Sequence, residues 1–481
     1  MSSSRRSPAP LSDQATFSAS SSRSSPAHIC KWPSSILFDV FLHTAAISVS
    51  DSPTYVEGRE EEKRGGVLDS WLSHEVLKPL TLVCRSWNAA ATTALLRHAH
   101  VGSPDSAFQL LDTLTANPDL RGKIKRLSVG LSDGGHCNPA GENAILACSQ
   151  TMIQVLSLCD NLVALQLRPL HSSIADDLLA ALQPLSEKLE TLVFGPRYFR
   201  TEEKGAYLSP FQSSLVEPIV RLLIRLRVLE IDAWARDGPT ARWTGVPAGV
   251  PGSASPLKQL SVKADLDDEV LEGLLNECGQ LEVLRVYAET ALRSDKLLPA
   301  LRRSTRTLKR LYFVNNPPLD AAPVPPQPHF PITVAQPTTP VLFGPELVSS
   351  YTSLTSLHLS SNLTSHAIFQ YLPSAHTLRH LFLCGLAPAP IQGDYFHFSD
   401  TLLDDLRNPA FTPIDALESV TVEELQDDWT EEQVQSVQEA LQVRGVTFRF
   451  IEVSASTRSG TSDTGSVTSS IPSISVSLNN A

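Results

Sequence analysis

The chain has 481 residues, of which 42% are hydrophobic and 19% are charged, and its formal net charge is −12. This much apolar material excludes a wholly disordered chain, and the acidic balance excludes a general binder of nucleic acids or of anionic membranes. The length allows about two to four domains or one long repeat array.

The cysteines and the apolar runs bear on location. Seven cysteines, none of them in a C-x-x-C pair, indicate reduced thiols inside a cell rather than a disulfide framework. No apolar run approaches the roughly 18 residues that a membrane-spanning helix needs. Residues 1–28 lack an apolar run, so we expect no secretory signal. We therefore expect a cytoplasmic or nuclear protein, or one present in both places.

Two segments of low complexity are predicted to be disordered tails. Residues 1–28 are rich in Ser, and residues 454–481 are half Ser and Thr. Neither offers a periodic apolar pattern that could offset the entropy lost on ordering. The basic composition of residues 1–28 also fits a mitochondrial transit peptide, but its density of Ser and Pro favours a disordered tail.

Residues 29–100 are predicted to form a small all-α module. Pro33 followed by two serines is a helix-start signal. Four apolar residues then lie on one helical face: Ile36, Leu37, Val40 and Phe41. A second helix is predicted to begin near Pro79. Its apolar face follows the spacing i, i+3, i+4 and i+7, with Leu80, Val83, Cys84 and Trp87.

These two helices resemble the F-box motif. The pattern Pro-x-x-Ile-Leu-x-x-Val-Phe is followed by Leu-x-x-Val-Cys-Arg-x-Trp, which adds Arg85 to the residues above. Trp32 stands where the family usually has Leu, and the gap after Phe41 is longer than usual. The excess residues, 44–70, hold a mixed-charge run and predict a surface loop. The resemblance implies that a Skp-family adaptor binds the ten matching residues: Pro33, Ile36, Leu37, Val40, Phe41, Leu80, Val83, Cys84, Arg85 and Trp87.

Residues 101–453 carry a repeat. The block apolar-x-x-apolar-x-apolar occurs ten times, with starts 24 to 46 residues apart, and such a period predicts a solenoid. The blocks begin at Ile124, Leu162, Leu189, Leu226, Leu257, Leu281, Leu308, Leu354, Leu378 and Leu417. Within each block the last apolar positions alternate with polar ones, as in a strand.

The segments between blocks have a helical period instead. After the fifth block, five apolar residues fall on one helical face: Leu266, Val270, Leu271, Leu274 and Leu275. Asp267 and Asp268 stand near its start, where the helix dipole favours acids. Strands alternating with helices predict a parallel sheet with right-handed crossovers.

This run resembles the leucine-rich repeat family. The family usually has Asn or Cys at the ninth position, and here only Asn316 and Asn362 comply. The predicted fold is therefore α/β: an irregular leucine-rich-repeat solenoid with a curved parallel sheet, preceded by the F-box module and flanked by the disordered tails. Pro-rich residues 238–256 and 317–340 are predicted to be loops that leave the solenoid.

No catalytic constellation is present in the sequence. Cys84 beside Arg85 could suggest an activated thiolate, but its place on an apolar helical face favours a buried structural cysteine. No His/Cys cluster has zinc spacing, and no phosphate-binding loop or nucleophile elbow occurs. We therefore expect no enzyme activity and no cofactor or metal, and a hydrolase is a poor fit.

The third and fifth positions of each block point away from the predicted core. Blocks six to nine place cationic and aromatic residues there: Arg285, Arg310, Tyr312, His358, His380 and Phe382. In an otherwise acidic protein this set predicts a binding surface for an acidic or phosphorylated segment of a protein substrate. The alternative is that these are ordinary solvated strand residues.

Together the two resemblances imply an interaction protein. F-box proteins with leucine-rich repeats are substrate-recognition subunits of cullin–RING ubiquitin ligases: the F-box docks on a Skp-family adaptor and the solenoid holds the substrate. The alternative is a leucine-rich scaffold outside any ligase, which Trp32 and the insertion at 44–70 would favour. Neither function requires a nucleic acid or a membrane.

Overall fold

The computed structural model describes residues 33, 35–41, 79–101, 103–129, 142–167, 170–194, 215–233, 256–264, 268–288, 294–315, 342–360, 371–372, 376–384, 406–408, 412–425 and 430–453. The chain divides into two units after Leu95. We call the described residues up to Leu95 the helical unit and those from Leu96 onward the sheet unit. Both predicted tails, the insertion 44–70 and the loop 317–340 lie outside the described residues, as does the loop 238–256 except for Pro256.

The described part of the sheet unit is built on twelve parallel strands, each hydrogen-bonded to the strands that precede and follow it in the chain. In order they are β1 His98–Val101, β2 Arg126–Val129, β3 Ala164–Leu167, β4 Thr191–Phe194, β5 Val228–Ala233, β6 Gln259–Ala264, β7 Val283–Ala288, β8 Arg310–Asn315, β9 Ser356–Ser360, β10 His380–Cys384, β11 Ser419–Leu425 and β12 Thr447–Val453. This order is typical of a solenoid-like α/β fold, in which each unit packs on its chain neighbours.

The ten predicted blocks coincide with β2 to β11, which confirms the predicted parallel sheet. Their fourth positions stand in one register, so that Leu127 pairs with Leu165 and Leu165 with Leu192. The apolar residues at the first, fourth and sixth positions are all buried, none more than 6% exposed. They form one continuous core along the sheet unit. Leucine burial of this kind is the main stabilising contribution of the fold.

Strands β1 and β12 were not predicted. In β1, Ala99 occupies the position at which the blocks have Leu or Val. In β12, Phe448 and Phe450 stand in register with the core residues of β11, but Gly445 occupies the first position of the block. Gly445 has a positive φ of 76°, which favours glycine, so a leucine there would be strained.

Every described helix after the first two lies between two consecutive strands of the sheet. In order, the described helices are α1 at residues 35–41, α2 Arg85–Arg97, α3 Pro104–Ala116, α4 Glu142–Leu158, α5 Ala175–Leu182, α6 Val216–Leu222, α7 Asp268–Glu277, α8 Ser294–Arg302, α9 Pro345–Val348 and α10 Glu431–Val443. Helix α7 is the one predicted after the fifth block. Val270, Leu271, Leu274 and Leu275 are buried on its inner face, as the spacing predicted.

Side-chain hydrogen bonds between neighbouring repeats occur just before the strands. The residue preceding the first apolar position of a block donates to a backbone carbonyl of the previous repeat. Thr307 donates to the carbonyl of Leu281, Ser353 to Arg306 and Thr377 to Leu354, each at 2.8 Å. Asn161 and Lys188 make the corresponding bonds in earlier repeats. These bonds join successive repeats of the sheet unit.

We expect Thr307→Val to lower the free energy of unfolding by about 1 kcal/mol, because the variant leaves the Leu281 carbonyl without its 2.8 Å donor. Urea unfolding measures the change. Thr113→Val is the matched control, since that hydroxyl bonds to Gln109 within its own exposed helix and its loss should cost less than about 0.5 kcal/mol. Equal losses of unfolding free energy in the two variants would show that the hydrogen bond between repeats stabilises the fold no more than a bond within one helix.

An ion-pair bridge crosses three repeats at the start of β6, β7 and β8. Glu282 accepts hydrogen bonds from Lys258 and Lys309, each at 2.7 Å. These two bonds, Lys258 first, lower the pKa of Glu282 from 4.5 to about 2. A lowered folded-state pKa stabilises the fold above the unfolded value, and that stabilisation disappears as the pH falls from 4.5 toward 2.

We therefore expect Glu282→Gln to lower stability at pH 7 by about 0.5–1 kcal/mol, a small effect because the pair is partly solvated. The difference between variant and wild type should vanish on titration to pH 2, the folded-state pKa. Thermal unfolding across this pH range measures it. A difference that stays constant with pH would mean that the carboxylate charge is not what stabilises the three repeats.

Candidate protein-interaction surfaces

The helical unit has a small core in which α1 packs on α2. Leu37 and Phe41 are buried against the alanines of α2, Ala90, Ala91 and Ala94. The ring of Phe41 meets the ring of Trp87 edge-on, with centroids 5.2 Å apart and an interplanar angle of 62°. This aromatic contact fixes the two helices against each other and uses only one face of α1.

The other face of α1 is apolar and open to solvent. Ile36 and Val40, one helical turn apart, are 48% and 40% exposed. In the segment that precedes α2, Leu82 is 86% and Val83 54% exposed. These four are a majority of the seven large hydrophobic residues that are exposed in the described part of the chain. A short unit that exposes this much apolar surface is typical of a protein-binding site.

The segment before α2 differs from the continuous helix that was predicted. Residues 79–80 are helical, residues 81–83 form a turn, and α2 begins at Arg85. The side-chain amide of Asn88 donates to the carbonyl of Thr81 at 2.8 Å, which holds the turn against the new helix. Two β-branched residues, Thr81 and Val83, disfavour helix in this stretch. The turn carries Val83 outward instead of onto the face of Trp87.

The ten residues predicted to bind an adaptor therefore fall into two groups. Five point outward and are exposed: Pro33, Ile36, Val40, Val83 and Arg85. Five are buried or half-buried: Leu37, Phe41, Leu80, Cys84 and Trp87. The sequence reasoning missed Leu82, the most exposed of the apolar group, because it lies off the helical spacing that was used to select the face.

The second surface is the outward face of the sheet. The fifth positions of β7 to β10 form a row of ring and guanidinium contacts, which we call the Arg285 row: Arg285, Tyr312, His358 and Phe382. The guanidinium carbon of Arg285 lies 5.2 Å from the centre of the Tyr312 ring. The rings of Tyr312 and His358 are 5.6 Å apart, and His358 stacks on Phe382 at 3.9 Å. The structure thus brings together four of the six residues predicted to bind substrate.

Members of the Arg285 row are far less exposed than ordinary strand residues on a solvated face. Arg285 is 5%, Tyr312 7% and His358 9% exposed. Burial lowers the pKa of His358 to about 3, so its ring is neutral at physiological pH and adds no second charge to the row. The row therefore contains one cation, the guanidinium of Arg285.

The remaining two predicted residues lie at third positions and are exposed. Arg310 precedes Tyr312 by two residues on β8, on the same outward face. On β10, the ring Nδ1 of His380 is 3.0 Å from the hydroxyl of Ser419 and its Nε2 is 3.9 Å from a carboxylate oxygen of Glu418. Arg310 borders the row, whereas His380 lies beside Glu418, just before β11.

No acid among the described residues pairs with the guanidinium of Arg285. Its Nη1 is buried and has no hydrogen-bond partner in the described structure. Placing a charge away from water without a compensating partner costs several kcal/mol, on the order of the whole margin of stability of many domains. A buried, unsatisfied donor of this kind demands an explanation.

Comparison with models of protein families finds none that matches the chain, and no curated protein has a significantly similar sequence. Within the described residues, no helix is both long and apolar enough to cross a membrane. The same residues contain no cluster of three or more His, Cys, Asp or Glu arranged to hold a metal ion.

Proposed function

We propose that the chain is the substrate-recognition subunit of a Skp–cullin–F-box ubiquitin ligase. In this proposal the helical unit is an F-box that docks on a Skp-family adaptor, and through it on a cullin–RING ligase. The observation that carries the proposal is the exposed apolar surface of Ile36, Val40, Leu82 and Val83, of which all but Leu82 match the F-box motif.

The geometry of the helical unit supports this assignment. Its aromatic pair lies inside the unit, since Phe41 and Trp87 pack on each other. The outward apolar residues, by contrast, contribute nothing to that core. Apolar side chains that a unit does not bury itself are the usual anchors of a protein interface, because their burial on binding removes them from water.

The sheet unit would hold the substrate as a leucine-rich-repeat solenoid. Twelve parallel strands in chain order, with buried leucines at fixed positions in each repeat, support this reading. A repeat array of this type offers one extended face on which side chains of successive strands lie about 4.8 Å apart. On the outward face, the Arg285 row places one guanidinium beside three rings.

The chain would bring two proteins together and would not itself be catalytic. In such ligases the chemistry of ubiquitin transfer belongs to other subunits. The described cysteines of the sheet unit suit a structural role: burial raises the pKa of Cys148 to about 11 and that of Cys159 to about 12. Thiols with such pKa values are protonated at neutral pH and are poor nucleophiles.

The test is co-expression of the full chain with a Skp-family adaptor and purification through a tag on the adaptor. We expect the chain to elute with the adaptor in equal amounts and to bring down a cullin from a cell extract. A chain that is folded by circular dichroism and never co-elutes with the adaptor would contradict the proposal. That outcome would favour the alternative of a leucine-rich scaffold outside any ligase.

A further inference from the structure

We propose that Arg285 anchors an oxyanion-binding site on the outward face of the sheet unit, which takes a carboxylate or phosphate group from a segment of the bound protein. The proposal rests on the proposed function only in that the ligand is a protein. The site itself is argued from the residues of β6 to β10.

The first argument is the unsatisfied donor capacity of Arg285. A guanidinium has five N–H donors in a planar fork and cannot lose its charge in a protein. Within the described part of the chain, this side chain contacts the face of the Tyr312 ring at 5.2 Å. Nη1 is buried without an acceptor among the described residues. An oxyanion is the ligand that satisfies both the charge and the fork geometry.

The second argument is that the described strands beside Arg285 place no acid next to it. Strand register defines the outward positions beside Arg285 on β6, β7 and β8: Gln259, Ser261, Lys263, Val283, Tyr287, Arg310, Tyr312 and Val314. None of these is an acid, and two are cations. The nearest carboxylate in the same row is Glu230, two strands away, or about 10 Å. The chain is acidic overall, with 51 acids against 39 basic residues, so this acid-free neighbourhood is a local feature.

The third argument concerns what lies beside the anion. From Arg285 the row continues through Tyr312 to His358, whose rings are tilted to each other, and then to Phe382, on which His358 stacks. Three strand intervals span about 15 Å, the length of four to five extended residues. Rings of this kind offer broad contact area to apolar or aromatic side chains. The expected ligand is therefore a short extended segment that has an acidic group at one end and apolar residues after it.

Binding requires side chains around Arg285 to move, because Nη1 is buried. Rearrangement of interface side chains on binding is common and leaves the backbone in place. Arg310, exposed on the adjacent strand, adds positive potential at the edge of the row and favours the approach of an anion.

The experiment uses the full chain, immobilised, and three peptide libraries with random flanks and a fixed central residue: Glu, phosphoserine or Gln. We expect the Glu or the phosphoserine library to be retained at least about tenfold more than the Gln library. Whichever acidic library is retained more identifies the source of the oxyanion. Equal retention of all three libraries would overturn the proposal.

Two substitutions locate the anchor. Arg285→Met, which keeps the length of the side chain, should abolish the preference for acidic peptides, and Arg285→Lys should reduce it about tenfold because the fork is lost. Arg449→Met is the matched control: Arg449 occupies the fifth position of β12 on the same face, is exposed, and should be dispensable. An acidic preference that survives Arg285→Met would place the anchor elsewhere and sink the proposal.

Stability provides a second readout. Because Arg285→Met removes a buried charge that has no acidic partner among the described residues, we expect the variant to have a higher Tm than wild type. A lower Tm would show that the guanidinium already has a structural partner, and would also overturn the proposal.

Val83→Asp should leave peptide binding unchanged. If the acidic preference holds while the adaptor does not bind, the site stands and the ligase assignment fails; if the adaptor binds and the preference is absent, the reverse is true.

Discussion

Val83→Asp is expected to weaken binding of a Skp-family adaptor by at least ~30-fold without unfolding the chain. Val83 is 54% exposed on the turn before α2 and makes no part of the core of the helical unit. Loss of an apolar anchor from an interface commonly costs about 2 kcal/mol or more, and a carboxylate buried there without a partner adds to that cost. Co-purification and a titration of the adaptor measure the change.

Val443→Asp is the matched control for this prediction. It is the same chemical change at a valine that is 88% exposed, at the end of α10 in the sheet unit. Both variants should unfold at the temperature of the wild type, because surface substitutions of this kind usually change stability by less than about 0.5 kcal/mol. Adaptor binding that is equally strong in both variants would show that the exposed apolar surface is not the docking site.

Trp87→Ala should also lose the adaptor, but by another route. Trp87 is half-buried and its ring packs on Phe41 at 5.2 Å, so truncation removes part of the small core. Cutting a packed Trp back to Ala lowers the free energy of unfolding by about 3–5 kcal/mol. A unit of this size has too small a core to remain folded after such a loss. Proteolysis near α2 should therefore become rapid in Trp87→Ala and remain slow in Val83→Asp.

The repeat was readable from the sequence because its physics is local and repeated. Each block combines the period of a strand with a leucine that is expected in the core, and the recurrence of ten such blocks strengthens the prediction. Helix α7 was readable for the same reason, since Val270, Leu271, Leu274 and Leu275 mark one face. Some repeats depart from the block, as at Ala99 in β1 or Gly445 before β12. There the pattern alone does not predict a strand, and the strand forms by pairing with its neighbour in the sheet.

The features that the sequence could not predict depend on contacts between distant residues. Strand alternation predicts that Arg285 and Tyr312 point outward from the sheet. It does not predict that they are buried, because their burial depends on what packs around the outward face of the sheet. The hydrogen bond from Thr307 to the carbonyl of Leu281 joins two repeats across 26 residues of chain. The turn at residues 81–83 was missed because a helical spacing of apolar residues can continue, by chance, through a segment that is not helical.

The largest loss of stability is expected from Phe313→Ala. Phe313 lies in β8, is fully buried, and meets the ring of Phe343 edge-on at 5.4 Å and 65°. Removing a buried aromatic ring forfeits its burial and leaves a cavity, which together cost about 3–5 kcal/mol. For a unit as large as this one, we expect a fall in Tm of about 5 °C. Phe108→Ala, at a phenylalanine that is 45% exposed on α3, is the control and should change little.

Because each repeat contacts only its neighbours, the site of this cavity has a further consequence. A weakened β8 repeat loosens the coupling between the strands before it and the strands after it, so urea unfolding should broaden or split into two transitions. The double variant Phe313→Ala/Phe343→Ala should lose less than the sum of the single variants, by about 0.5–1.5 kcal/mol, because each ring is the partner of the other. If the losses of stability in the two single variants add up to that of the double variant, the two rings stabilise the sheet unit independently. If one sharp transition is retained, the repeats of the sheet unit unfold together.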